Sequence, residues 1–191
     1  QVFVRFTKSL DVIGHELTHG VVTHTCNLDY LNESGALNEH FADVFGVLIK
    51  QWKLGHTAAK ADWLIGAEIM GPGTKAKSLR TFKEGLAYEN DDAMGTDPQP
   101  KHLKNKYKGN ADSGGVHINS GIPNHAFYRV ATTLGDNTAY EIGFNSLGGS
   151  LPDGSTLDVP KGVTVMVDAG TPSSLTARSM ISRASPPEPK T

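Results

Sequence analysis

Between Leu10 and about Asn27 the apolar residues Val12, Ile13, Leu17, Val21 and Val22 recur at helical spacing, and Ser9 or Asp11 stands where an N-cap belongs. The pattern predicts a helix. A second helical pattern begins near Ser34 and carries Leu37, Phe41, Val44, Phe45 and Leu48 on one side until about Trp52, after the polar loop NLDYLNES. Upstream, the first ten residues alternate around Val2, Val4 and Phe6, which predicts a short strand with no earlier segment to pair with. Residues 71–115, rich in Gly, Pro, Asp, Asn and Lys, predict long surface loops with room for one short helix. A third helix is expected to open at Asn119 or Ser120, to tolerate Pro123 in its first turn, to pack Phe127, Val130 and Leu134, and to stop at Gly135. From Gly143 the chain turns Gly-rich and then alternates in GVTVMVDAG, a strand signature, before the disorder-prone end SPPEPKT. The expected organisation is a core over 1–140 and an unassigned, β-prone tail over 141–191.

Composition narrows the function classes. A chain of 191 residues can bury one sizeable core, and a net charge of -2 with interspersed acids and bases leaves no footprint for nucleic acid or an anionic membrane surface. No apolar run approaches the roughly 20 residues that span a bilayer. Neither nucleic acid nor membrane is an expected partner. The basic stretch KHLKNKYKGN over 101–110 reads as a solvated loop. With Cys26 as its only cysteine, the chain can form no internal disulfide.

The chemistry lies in two segments. HELTH places His15 and His19 four residues apart, on one face of a helix and one turn from each other, where two imidazoles can chelate one ion. GALNEHFAD puts Glu39 on the second helix and Asp43 one turn later on the same face, among Leu37, Phe41, Val44 and Phe45. A catalytic zinc needs three protein ligands and one open position, and His15, His19 and Glu39 supply three. Glu16, beside His15, is placed to act as general base on a water at the fourth position.

HELTH and NEHFAD, with nineteen residues between His19 and Glu39, together resemble the thermolysin family of neutral zinc metalloproteases, and within it the protealysin-like branch. GGVHINSGIPNHAFY over 114–128, DWLIG over 62–66 and SLR over 78–80 are similar to further family segments in matching order, so the resemblance covers residues 1–135. It implies a mainly α fold with minor β, the family's catalytic core without most of its N-terminal sheet domain or its usual C-terminal helical bundle. It implies a zinc endopeptidase acting on polypeptides, cleaving on the amino side of large apolar residues, with one Zn2+. His117 and Tyr30 take the role of oxyanion donors by resemblance, Asp112 that of orienting His117, and Asp43 that of holding His15. Arg80 matches a contact to a substrate carbonyl, while Phe6, Val12 and Leu79 match the apolar pocket; Tyr30 and the pocket residues also suit plain packing roles. Secretion is implied too, with a cytoplasmic location left open.

The family's double calcium site draws on five acids, of which this chain keeps Asp11 and Asp62 but carries Lys50, Leu64 and Ala67 elsewhere. Two carboxylates fall short of the six to eight oxygens calcium prefers, so the double site is expected to be absent. The alternative to an active peptidase is a catalytically inactive zinc-binding fragment or an interaction module. The intact Glu16 weighs toward catalysis, since a structural zinc site has four protein ligands and no use for that glutamate.

Overall fold

Helix α1, Leu10–His24, begins where the polar cap was expected, but the cap divides its work between two residues. The Ser9 carbonyl accepts the Ile13 amide at 3.1 Å, and Asp11 Oδ1 accepts the Val12 amide at 2.7 Å. The Ser9 hydroxyl contacts Asp11 and Glu68 instead of the helix end. Helix α2, Asn32–Leu54, stops at Gly55, whose φ of 63° is cheap only for glycine. There the His56 amide reaches the Gln51 carbonyl at 2.9 Å and the Gly55 amide the Trp52 carbonyl at 3.3 Å, a double C-terminal closure.

The computed structural model describes residues 1–134 and, beyond them, two further strands. The other elements are β1 (Leu64–Ile65), β2 (Arg80–Thr81), α3 (Ala111–Asn119), α4 (Gly121–Leu134), β3 (Thr164–Val167) and β4 (Ala177–Met180). β1 pairs antiparallel with β2 in the register Leu64↔Thr81, and β3 pairs antiparallel with β4 in the register Thr164↔Met180. The fold is mainly helical with short strands. The expected boundary near residue 140 and the end SPPEPKT lie outside the described residues, whereas β3 falls within the alternating GVTVMVDAG.

α1 and α2 cross closely because glycine stands at the crossing. A Cβ on Gly46 would lie 2.4 Å from the Asp11 carbonyl oxygen, and one on Gly14 would lie 3.1 Å from Gly46 Cα. That approach brings the two helices' chemistry within reach of one ion. α2 is buried nearly all round, and its inward residues include Asn38, Glu39, Asp43, Lys50 and Gln51 beside Val44, Val47 and Leu48. The apolar core gathers Val12, Val44, Val47, Leu48, Trp63, Ile65, Ile69, Phe82, Phe127 and Ala131 from α1, α2, the loops and α4.

Three expectations change. The first residues form a single bridge, Phe3↔Met70, with the Val4 amide on the Ile69 carbonyl at 2.8 Å, so a later loop supplies the pairing partner. Residues Phe6–Lys8 then turn into a 3-10 segment. Val130, expected in the core, is 45% exposed, because α4 turns Phe127 and Ala131 inward. α3 begins at Ala111, before the third helix expected from Asn119 or Ser120, and contains four consecutive left-handed residues, Asp112, Ser113, Gly114 and Gly115, with φ of 56°, 51°, 81° and 84°. Neither glycine has room for a side chain, since a Cβ would meet Asn32 Oδ1 at 2.1 Å or Tyr107 Cδ1 at 2.6 Å.

Beside the helix crossing lies a buried cation. Lys50 Nζ stands 3.0 Å from Asp11 Oδ2, 3.0 Å from Asp62 Oδ2 and 3.2 Å from Glu68 Oε1. Burial opposes its charge, but Asp11 and Asp62 outweigh that and hold the ammonium above the ordinary lysine range. Lys50 thus ties the start of α1, the end of α2 and the loop around β1.

Candidate metal centre and active site

His15 and His19 project from one face of α1 toward Glu39 on α2, and their donor atoms lie within 4.8 Å of one another. His15 Nδ1 is 2.8 Å from Asp43 Oδ1, and His19 Nδ1 is 2.9 Å from Asn38 Oδ1. Both partners are acceptors, so in the neutral form of each ring Nδ1 carries the hydrogen and Nε2 keeps a lone pair. Those two Nε2 atoms face each other at 3.1 Å. Two lone pairs at that distance repel unless a cation lies between them.

Glu39 completes the set. It is fully buried, its Oε2 has no hydrogen-bond partner, and its oxygens lie 3.5 Å from His15 Nε2 and 3.3 Å from His19 Nε2. Two donors about 2.0–2.1 Å from one tetrahedral zinc stand about 3.3 Å apart, close to the 3.1 Å between the two Nε2 atoms and to the contacts that Glu39 makes through Oε2 with His15 and through Oε1 with His19. The orphaned carboxylate oxygen and the facing lone pairs both fit zinc.

Beside these donors opens a cleft of about 380 Å³ lined by Glu16, His19, Thr23, Leu28, Tyr30, Asn38, Glu39 and His117. Glu16 is exposed within it, on the same helix as the two histidines. The Tyr30 hydroxyl donates to Glu39 Oε1 and lies 3.1 Å from His117 Nε2. Burial, with Glu39 close by, pushes the Tyr30 phenol well above its ordinary value, so it stays a hydroxyl donor.

His117 is aimed by the left-handed turn. Asp112 Oδ1 takes His117 Nδ1 at 2.6 Å, while Asp112 Oδ2 accepts the amides of His117 at 2.8 Å and Ile118 at 3.2 Å. One carboxylate therefore caps the right-handed turn and orients the ring on it. The mirror-handed residues before it curl the chain back far enough for a side chain at Asp112 to reach residues five and six positions on.

Asp43, fully buried, accepts from three elements at once. His15 Nδ1 reaches Oδ1 at 2.8 Å, Arg80 donates from Nη2 to Oδ1 at 2.6 Å and from Nε to Oδ2 at 2.8 Å, and Asn124 Nδ2 donates to Oδ2 at 2.8 Å. Burial alone would raise its pKa, but the Arg80 charge and the His15 hydrogen bond hold the carboxyl far below the usual range. His40 Nδ1 meets Asn124 Oδ1 at 2.8 Å, and burial pushes the His40 imidazole below its ordinary value.

Of the residues singled out in the sequence, His15, Glu16, His19, Tyr30, Glu39 and His117 meet around one point, with Asp43 and Asp112 behind them. Arg80 points its guanidinium at Asp43, 3.5 Å from His15 Nδ1. Val12 and Leu79 belong to the core or pack against it, and Phe6 is 52% exposed with its ring against Phe3. None of Arg80, Phe6, Val12 and Leu79 lines the cleft. Sequence reasoning passed over Asn38, Asn124 and His40. Asn38 precedes Glu39 inside GALNE, and that adjacency is the one signal that pointed to it.

Comparison with known proteins bears on the family of the chain as a whole. A family model described as thermolysin metallopeptidase, alpha-helical domain, matches residues 26–167, past residue 135 where the motif resemblance stops. An extracellular metalloprotease of Pectobacterium carotovorum is 49% identical over 139 residues, covering 72% of this chain and 40% of that protein. An extracellular minor metalloprotease of Serratia marcescens is 53% identical over 125 residues, covering 65% and 35%. Among solved structures, the precursor of protealysin, a metalloproteinase from Serratia proteamaculans, superposes with a TM-score of 0.73 at 43% identity, over 82% of this chain and 50% of that one. The chain spans about two fifths or less of the length of these two curated relatives.

Proposed function

Because the chain belongs to the thermolysin metallopeptidase family, we propose that it hydrolyses internal peptide bonds with one zinc ion held by His15, His19 and Glu39. The observation that carries this reading is the convergence of two facing Nε2 lone pairs and an unpartnered buried carboxylate oxygen at the edge of an open cleft. When bound, zinc lowers the pKa of water toward neutrality and polarises a carbonyl. The chain's own residues do the rest. Glu16, exposed in the cleft, takes the proton of the attacking water and passes it to the departing amine. His117 Nε2 and the Tyr30 hydroxyl donate to the oxygen on which negative charge develops. Asp112, by accepting from His117 Nδ1, orients the ring with Nε2 toward the Tyr30 hydroxyl.

Three protein ligands beside an open cleft support catalysis over a structural ion, which takes four. Cleavage before large apolar residues, the absence of the double calcium site, and secretion, as for relatives described as extracellular, belong to the same proposal. Among the described residues no helix is long and apolar enough to cross a membrane.

The test is an internally quenched peptide turned over by the purified zinc-loaded chain, beside Glu16→Gln and a chelator-treated sample. Glu16→Gln is expected to lose about 10²–10⁴-fold in rate while keeping its zinc. One zinc per chain with no turnover above Glu16→Gln would replace the peptidase reading with that of an inactive zinc-binding chain.

A further inference from the structure

The buried carboxylate behind His15 has every acceptor position occupied, and one occupant has a freedom that must itself be fixed. Asp43 offers two oxygens with about four acceptor directions, and His15, Arg80 twice and Asn124 fill them. Arginine presents only N–H groups to it, and His15 presents the N–H of its Nδ1 tautomer. Asn124 is different, because its amide can present either an NH2 or a carbonyl oxygen by turning over.

The neighbours decide which. Turned over, Asn124 would set its carbonyl oxygen 2.8 Å from Asp43 Oδ2, an acceptor against an anion, in a side chain with no exposed surface. The NH2 therefore faces Asp43 and the carbonyl faces His40, whose Nδ1 at 2.8 Å must carry the ring hydrogen. With His40 Nδ1–H in place, turning the amide would break two buried hydrogen bonds and oppose like partners at both ends.

We infer that His40 and Asn124 are positioning residues of the metal centre, His40 fixing the Asn124 amide, Asn124 fixing Asp43, and Asp43 holding the His15 ring with its Nε2 toward the ion. The inference rests on the reading of His15, His19 and Glu39 as a zinc site. It links α2, through His40, and α4, through Asn124, to a ligand on α1, so the docking of α4 bears on the ion although α4 supplies no ligand. Neither residue touches the cleft.

The experiment measures zinc affinity by competition with an indicator chelator, and in parallel the melting temperature of the metal-free protein, for wild type, Asn124→Ala, His40→Leu and His40→Asn. Partners behind a metal ligand are typically worth about 10–100-fold in affinity, so Asn124→Ala is expected to fall in that range and His40→Leu to lose about 10-fold. His40→Asn sets an amide nitrogen the same number of bonds from Cα as the ring Nδ1, keeps the donor, and is expected within about 3-fold of wild type.

Equal zinc affinity in His40→Leu and His40→Asn, whether both weakened or both unchanged, would overturn the relay, as would variants that lower only the metal-free melting temperature. Should Asn124→Ala fail to fold, the His40 pair decides alone. A wild type that takes up no zinc would remove the metal reading and the relay with it; a wild type that binds zinc no better than Asn124→Ala and His40→Leu would remove the relay alone.

Discussion

At the scale of single residues, titratable groups and amides stood out unequally in the sequence. The gathering of His15, His19 and Glu39 beside the cleft that Glu16 lines was legible, because a helix turns four-residue spacing into a shared face and metal chemistry draws attention to those residue types. Asn38, Asn124 and His40 were not. Their roles follow from contacts between segments as far as 84 positions apart, as His40 and Asn124 are, and no spacing rule anticipates such a pair. Arg80 was noticed by resemblance as a substrate contact, whereas its guanidinium lies on the fully buried Asp43. Removing one partner of a buried pair strands the other's charge. Arg80→Ala is accordingly expected to cost about 3–5 kcal/mol in stability, measured by urea denaturation of the metal-free protein. A loss under about 1 kcal/mol would mean that Asp43 is satisfied by His15 and Asn124 without it.

At the scale of elements, the two long helices were readable from their 3.6-residue rhythm, because burial of one stripe is what that rhythm encodes. α2 hid its extent, since polar residues such as Gln51 and Lys50 are also buried and blur the stripe. The left-handed start of α3 was illegible: only Gly114 and Gly115 hint at positive φ, and Asp112 and Ser113 adopt it under the pull of the hydrogen bonds Asp112 makes. The helix crossing gives the sharper test. A methyl at Gly46 would collide with the α1 backbone, so Gly46→Ala is expected to cost about 1–3 kcal/mol. Zinc affinity should fall with it, because the crossing sets His15 and His19 against Glu39. Gly20→Ala, where a Cβ meets nothing within 4 Å, should instead gain about 0.5–1 kcal/mol and leave the zinc unchanged. A gain in both variants would show that helix propensity outweighs the close contact at the crossing.

At the scale of the whole molecule, the fold class and the family were legible, while the linkage among distant segments was not. Phe3 finds Met70, and Glu68 joins Asp11 and Asp62 around Lys50, although Glu68 carries no signal in its own surroundings. Lys50 itself was noticed as a departure from a calcium-binding pattern, and its role as partner to three carboxylates emerged only from the folded chain. With an ammonium at that point, millimolar calcium is expected to leave the melting temperature of the zinc-loaded protein unchanged. A calcium-dependent rise, read by calorimetry, would mean that a divalent ion displaces Lys50 or binds the acids beside it.

A free ion holds such a junction only in proportion to its concentration in the medium, and dilution or a competing chelator empties it. A charge carried on the backbone has no such equilibrium. It arrives with translation, one per chain, and its local concentration is set by the length of a side chain. A joint held in this way between α1, α2 and the β1 loop is expected to be indifferent to the mineral content of its surroundings, its loss requiring a mutation where a bound ion's would require only rinsing.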